Sequence, residues 1–212
     1  MNEVEAMIEK TRVMLSMQNE MNSHVDADWL EREREWYRAI WIECAELMEH
    51  YGGWKWWKHA TPDFAQVVLE IVDIWHFGMS MRFDGVRGTE AIAEGMLAEL
   101  AAEPSVEREL REAVEDLAGL ALVERRFSMR CFCTLMDAAG MDFDALFAAY
   151  VGKNVLNFFR QDNGYKDGSY RKLWQGREDN AHLAEILLEL DSRDASYADQ
   201  LYAALAGRYA SA

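Results

Sequence analysis

The chain has 212 residues, of which 50% are hydrophobic, and a formal net charge of −16 at pH 7. A chain of this size can bury a sizeable core, and a single domain over residues 1–212 is the expected organisation. The acidic charge argues against nucleic acid as a partner, because no general electrostatic footprint for phosphates is available. A metal ion or a local basic segment can still reverse the sign at one place.

Three cysteines, Cys44, Cys131 and Cys133, offer neither a zinc framework nor a plausible set of disulfides. We therefore expect reduced thiols in a cytoplasmic protein. No stretch approaches the length of a membrane span, and the first residues lack the basic-then-apolar pattern of a signal peptide. A membrane is accordingly not expected as a partner.

Only two prolines occur, and the composition is typical of an all-α fold. Apolar positions at a nearly helical period predict a first helix over residues 3–22. Asp26 or Asp28 is expected to cap a second helix that ends near His50. The third helix is expected to begin at Thr61 and Pro62 and to end near Phe83.

The second half of the chain also predicts helices. We expect a short helix near 89–102 and a long helical stretch from Ser105 to about Ala139. Gly140 interrupts that stretch, and Asp142 is positioned to cap the next helix. Residues 152–180, called the basic segment below, contain the densest run of Lys, Arg, Asn and Gly, and a last helical region follows. No β-alternation of any length appears, so the predicted fold class is an all-α helical bundle.

Four acids stand in two pairs, each pair three residues apart: Glu43, Glu46, Glu70 and Asp73. Residues three apart share one helix face, and Gly52 and Gly53 between the pairs predict an antiparallel helical hairpin. All four acids can then meet, and close carboxylates repel one another unless a cation lies among them. A solvated surface face is the alternative, but the apolar neighbours of these acids favour a site for Mg²⁺ or Mn²⁺.

The basic segment presents Lys153, Asn157 and Arg160 on one helix face, followed by Tyr165 and Lys172 among glycines. These residues are either ordinary surface groups or a clamp for a triphosphate, in which Arg binds oxygens bidentately and Lys adds a point charge. The chain contains no P-loop motif. The glycines predict a mobile segment near 152–180 that closes over a substrate.

Polar and aromatic residues elsewhere suggest a pocket for a base. Gln18 and Asn22 lie one helical turn apart, and their amides can donate and accept together, as a pyrimidine edge requires. Trp54 belongs to a loop with three tryptophans in four residues, which either walls a base pocket or plugs the end of the bundle. His76 follows Asp73 by one turn and is either a core histidine or part of the same pocket.

Together these motifs resemble the all-α dimeric dUTPase family, within the broader MazG-like nucleotide pyrophosphatases. The matching segments are Gln18-x-x-x-Asn22, Glu43-Cys-Ala-Glu46, the loop 54–58, Glu70-Ile-Val-Asp73 with His76-Phe77, and the run 152–180.

The resemblance implies a homodimeric enzyme that hydrolyses dUTP to dUMP and pyrophosphate, with dUDP as a further substrate. It also implies two or more Mg²⁺ ions per site, for which Mn²⁺ can substitute. By resemblance, the metal ligands are Glu43, Glu46, Glu70 and Asp73, with Glu46 also taking the proton of the attacking water. The phosphate-binding residues are Lys153, Asn157, Arg160, Tyr165 and Lys172. The residues around the base and sugar are Gln18, Asn22, Trp54 and His76.

Three alternatives stay open on the sequence. The nearest is a pyrophosphatase for dCTP or for a broader set of nucleoside triphosphates. A carboxylate-bridged di-iron bundle is the second, with Asp73-x-x-His76 and Asp179-x-x-His182 in place of the usual Glu-x-x-His pairs. The third is an acidic helical adaptor for a basic partner, without enzymatic activity.

Overall fold

The computed structural model describes residues 3–211, and over this range the chain forms nine α-helices and one two-stranded hairpin. The helices are α1 (Glu3–Val25), α2 (Trp36–Tyr51), α3 (Phe64–Ser80), α4 (Thr89–Ala102), α5 (Leu110–Glu124), α6 (Met129–Ala138), α7 (Phe143–Asp162), α8 (Asp179–Glu189) and α9 (Tyr197–Ala210). Between α7 and α8, β1 (Leu173–Trp174) pairs with β2 (Arg177–Glu178) in antiparallel register. The predicted all-α helical bundle is confirmed.

Helix α3 is the scaffold of the first half of the molecule. It is apolar nearly all round, and it is buried over most of its length, including Leu69, Val72 and Trp75. Helix α2 packs along it, while α1, α7 and α8 contact its other sides. The predicted α2–α3 hairpin is therefore present, and Gly52, at a φ of 71°, ends α2 as expected.

Two hydrophobic clusters stabilise the bundle. The larger surrounds Trp75, whose ring stacks on Phe132 with centroids 4.8 Å apart. The smaller surrounds Phe159 and Trp174 and is closed by α8 and α9. Helices α7 and α8 approach closely at Gly152, where a Cβ atom would lie 2.5 Å from the Leu187 side chain. This approach sets the neighbouring turn of α7 close to α3.

The second helix begins later than predicted. Residues 27–33 form turns instead of a helix, and α2 starts at Trp36. Asp26 does not cap a helix, because its carboxylate binds Arg32 and Arg34 at 3.2 and 2.6 Å. The prediction that Asp26 or Asp28 caps the second helix was wrong: Asp26 is bonded to arginines six and eight residues later, and Asp28 lies within the turns that precede the start of α2.

Two other boundaries also differ. Helix α3 begins after Asp63, whose carboxylate accepts a hydrogen bond from the Gln66 backbone N–H at 3.2 Å, and not at Thr61 and Pro62. The long stretch predicted from 105 to 139 is divided, because Arg125 adopts a left-handed φ of 52° and Ser128 caps a new helix. The short hairpin was not predicted, since strands of two residues leave no alternation in the sequence.

Candidate active site

Three carboxylates of the α2–α3 hairpin form one acidic group: Glu43, Glu46 and Glu70. One oxygen from each lies within 4.8 Å of the others. The spacing of three residues on α2 places the first two on one face, and the antiparallel packing brings Glu70 of α3 against that face. Asp73, one turn after Glu70, does not belong to this acidic group as the structure has it.

The acidic group is electrostatically strained. Glu70 is buried, Glu43 is half-buried and Glu46 is exposed. Burial raises the pKa of Glu43 and of Glu70, and the negative charge of Asp73 raises both further. The hydrogen bond between Glu43 and Glu70 raises the pKa of Glu43 and lowers that of Glu70. Burial and mutual repulsion therefore oppose ionisation of the whole group, and a bound cation would relieve both.

The donor set of the acidic group fits a hard divalent cation. Its ligand atoms are all carboxylate oxygens, which are the donors that Mg²⁺ and Mn²⁺ prefer. The nearby imidazole of His50 lies 3.4 Å from a Glu70 oxygen and forms an ion pair with it when protonated. Oxygen donors and excess negative charge suit such a cation, while Asp73, the fourth predicted ligand, lies outside the acidic group.

Lys153 explains why Asp73 stands apart from the acidic group. Its side chain is buried, and its Nζ lies 2.7 Å from an Asp73 oxygen. The same ammonium group donates a hydrogen bond to Asn180 at 3.1 Å. Lys153 therefore links α3, α7 and the start of α8, and it compensates the charge of Asp73.

Arg160 lies two turns further along α7 and is held by Asp179. Its Nε and Nη2 each donate to one Asp179 oxygen at 2.8 Å, and its Nη1 donates to Asn157 at 3.1 Å. Burial alone lowers the pKa of Arg160, but the Asp179 carboxylate outweighs it and raises that pKa. The same guanidinium lowers the pKa of Asp179 despite burial. Both partners are therefore charged.

A buried set of hydrogen bonds, called the amide network below, joins α1, α3 and α7: Gln18, Asn22, His76, Ser80 and Tyr150. The Gln18 Oε1 atom lies 2.5 Å from His76 Nδ1, and the same Gln18 oxygen accepts a hydrogen bond from the Tyr150 hydroxyl at 3.2 Å. Gln18 Nε2 donates to Asn22 and to Ser80 at 3.0 and 3.1 Å. Burial lowers the pKa of His76 to about 4, so the ring is neutral at pH 7 and carries its proton on Nδ1.

One cavity of about 440 Å³ brings these features together. The predicted site residues that line it are Gln18, Asn22, Glu43, Asp73, His76, Lys153, Asn157, Arg160 and Tyr165. Glu43 is the member of the acidic group that lines the cavity, and one oxygen each of Glu46 and Glu70 lies within 4.8 Å of a Glu43 oxygen. A ligand with a base at one end and phosphates at the other would meet amides first and then carboxylates and cations.

Four predicted site residues lie outside the lining of this cavity: Glu46 and Glu70 of the acidic group, and the loop residues Trp54 and Lys172. Trp54 donates its indole N–H to Glu49 at 3.0 Å, beyond the end of α2. Lys172 forms an exposed ion pair with Glu178 at 3.3 Å. Both belong to loops, whose positions depend on contacts that helical spacing does not determine.

The sequence did not single out Ser80 or Tyr150, although both complete the amide network. Ser80 lies one turn after His76 on α3, so helical spacing contained that information. Asp179 and His182 were considered only as iron ligands. Asp179 binds Arg160 through both oxygens, and His182 Nε2 lies 3.0 Å from the Trp174 carbonyl. These contacts do not favour the di-iron alternative.

A protein-family model described as dUTPase matches residues 10–165 of the chain. The match contains the acidic group, the amide network, Lys153 and Arg160, and it ends before Lys172 and Asp179. No curated protein matches the sequence. Within residues 3–211, no helix is long and apolar enough to cross a membrane.

Proposed function

Because this chain belongs to the dUTPase family, whose model it matches over residues 10–165, we propose that it hydrolyses dUTP to dUMP and pyrophosphate with Mg²⁺. Membership identifies the protein as a hydrolase, a dUTP diphosphatase. The finer proposal is carried by one observation: a single cavity joins the amide network to the acidic group and to the cations of α7. We include dUDP as a further substrate.

The acidic hairpin is the proposed metal site, with Glu43, Glu46, Glu70 and Asp73 as ligands. When bound, Mg²⁺ supplies positive charge against the phosphates and lowers the pKa of a water molecule. Glu46 is the proposed base for that water, because it is the exposed member of the acidic group and can exchange protons with solvent. Two or more ions are proposed, and Mn²⁺ is the proposed substitute.

The cations of α7 are the proposed contacts to the phosphates. Lys153 and Arg160 stabilise negative charge that develops on the leaving pyrophosphate, and Asn157 adds an amide on the same face. Tyr165, which is half-exposed at the cavity edge, and Lys172 are proposed to join them when the basic segment closes.

Slower hydrogen exchange near 162–180 with a non-hydrolysable dUTP analogue and Mg²⁺ is expected, and unchanged exchange would contradict closure.

The amide network is the proposed site for uracil and the sugar. The Gln18 amide is bonded on both sides within the network, where it orients Asn22 and His76. The groups left for the base at the cavity wall are the remaining N–H and lone pair of the Asn22 amide and the Nε2 acceptor of a neutral His76. Cytosine has an amine where uracil has a carbonyl, so the same groups would leave a polar group unpaired. Trp54 stays a proposed contact that requires its loop to reach the cavity.

A broader pyrophosphatase, active on dCTP as well, is the second candidate, since the acidic group and the cations are indifferent to the base. A panel of deoxynucleoside triphosphates, assayed with Mg²⁺ and pyrophosphate detection, distinguishes the two. We expect dUTP to be hydrolysed at least about tenfold more efficiently than dCTP. Equal efficiency on all four common deoxynucleotides, with dUTP no better, would favour the broader enzyme.

A further inference from the structure

Asp179 is a buried carboxylate that none of the proposed catalytic steps uses. Its exposure is 0%, and it is the first residue of α8. A carboxylate loses its hydration when it is buried, so it must be compensated by partners of good geometry. Three such partners are present: the Arg160 guanidinium, bound through two hydrogen bonds of 2.8 Å, the Tyr170 hydroxyl at 2.8 Å and the Asn180 backbone N–H at 2.9 Å.

This contact determines how Arg160 is oriented. A guanidinium is planar, and a carboxylate bound along its Nε and Nη2 edge fixes that plane. The Nη1 edge of the Arg160 guanidinium then faces Asn157 and the cavity that Arg160 and Asn157 both line. Without Asp179, this side chain with several rotatable bonds would keep hydrogen bonds to the neutral amides of Asn157 and Asn180, at 3.1 and 3.2 Å.

Asp179 also connects Arg160 to the loop between α7 and β1, which carries Tyr170 and Lys172. The Tyr170 hydroxyl donates to the same oxygen that accepts from Arg160 Nε. The Asp179 backbone N–H donates to the Lys172 carbonyl at 3.0 Å, which holds the loop that carries Lys172. One carboxylate therefore organises the α7 cation and the chain that lies beside it.

We propose that Asp179 is a positioning residue, which orients Arg160 toward the phosphates of the bound nucleotide and couples residues 170–172 to it. The inference rests on the proposed function, because it takes the phosphates of dUTP as the ligand of Arg160. Asp179 lies beyond the residues that the dUTPase family model matches, so the match does not assign it this role. A purely structural ion pair would stabilise the fold without affecting one part of the ligand more than another.

Asp179→Asn separates the two cases, because it keeps the size of the side chain and removes the charge. We expect affinity for a non-hydrolysable dUTP analogue with Mg²⁺ to fall by about tenfold or more, and affinity for deoxyuridine, which lacks phosphates, to change by less than about twofold. Asp142→Asn is the matched control, since Asp142 caps the far end of α7. It should weaken neither ligand.

A double-mutant cycle tests whether Asp179 acts through Arg160. If it does, Asp179→Asn adds little to the loss caused by Arg160→Lys, and the double variant binds the analogue about as well as Arg160→Lys alone. Additive losses, equal losses for both ligands, or wild-type affinity for the analogue in folded Asp179→Asn would each overturn the proposal.

Asp179→Glu carries the same test if the Asn variant does not fold. It keeps the charge but displaces the carboxylate by one methylene, and we expect a smaller loss, about threefold, confined to the analogue. A Glu variant with wild-type affinity for the analogue would overturn the proposal. Failure of the proposed function is recognised separately, because the wild-type protein and Asp142→Asn would then show no dUTP hydrolysis.

Discussion

At His76, burial and one hydrogen bond determine both the charge and the tautomer of the ring. The side chain is 5% exposed, and burial lowers its pKa to about 4. Gln18 accepts the Nδ1 proton, which leaves Nε2 buried and without a protein partner in the described chain. A buried acceptor without a donor normally has a reason, and a ligand in the adjoining cavity supplies one.

The depressed pKa of His76 predicts a loss of stability in acid. The unfolded chain binds a proton near pH 6.5 whereas the folded ring stays neutral down to about pH 4, so stability is lost as pH falls through that window. From pH 7 to pH 5 the contribution of this group should fall by about 2 kcal/mol. Urea unfolding of the wild-type protein and His76→Gln checks this: the difference between them should shrink by that amount at pH 5. The same difference at both pH values would contradict it.

Residues that share one helix could be predicted together from the sequence. Gln18 and Asn22, and likewise Lys153 and Arg160, lie on one face because spacing alone determines which face they share. The ion pair between Lys153 and Asp73 could not be predicted in this way. It depends on how α7 packs against α3, which no local pattern contains.

At the scale of elements, the start of α3 shows how two plausible signals compete. Thr61 and Pro62 have the order typical of a helix start, yet the structure uses Asp63. The Asp63 carboxylate accepts the Gln66 backbone N–H, while its own backbone N–H donates to His50 at the end of α2. Asp63 therefore closes the hairpin that carries the acidic group, and a contact with another helix decided the boundary.

The Asp63 cap predicts an unequal effect of two neighbouring alanines. Asp63→Ala removes a hydrogen bond to the first turn of α3 and should lower the free energy of unfolding by about 1 kcal/mol. Thr61→Ala lies before the helix and should change it by less than about 0.5 kcal/mol. Chemical denaturation of both variants makes the comparison. A larger loss of unfolding free energy in Thr61→Ala than in Asp63→Ala would contradict this, and would indicate that Thr61 caps the helix as the sequence predicted.

The same competition explains the other boundaries. Helical periodicity continues through residues 110–138, but the backbone turns at Arg125, and Ser128 starts α6. Such a turn is favoured by the packing of α5 on α6 and has no strong sequence signature. Element type was therefore predictable from composition and period, whereas ends were set by tertiary contacts.

At the scale of the whole molecule, apolar surface is concentrated beside the α2–α3 connection. Trp56 is 88% exposed, Trp57 is 61% exposed and Phe64 is 53% exposed. Trp56 and Trp57 contact each other with ring centroids 5.5 Å apart, and exposed aromatic surface of this kind is typical of an interface. On this ground, and in line with the family resemblance, we propose that the protein is a homodimer.

The dimer is tested by sedimentation at micromolar concentration. We expect a species of twice the 24.5 kDa of one chain. Trp56→Asp should shift it toward the monomer, because it places a charge in the aromatic surface, whereas Val123→Asp, at another exposed apolar position, should not. A wild-type species with the mass of a single chain would contradict the proposed dimer. A Trp56→Asp protein that remains dimeric would show that the interface does not include Trp56.

We propose that the acidic group of the α2–α3 hairpin provides the metal site and the base with which the protein hydrolyses dUTP. The most direct measurement is the rate of dUMP formation from dUTP with Mg²⁺ by the wild-type protein, Glu46→Gln and the control Glu94→Gln, which changes an exposed glutamate of α4. We predict rapid turnover for the wild-type protein and for Glu94→Gln, and no turnover by either protein once the metal is chelated. Glu46→Gln should keep the helical fold and lose about a hundredfold or more of the turnover rate. Turnover in Glu46→Gln close to that of the wild-type protein would contradict the account.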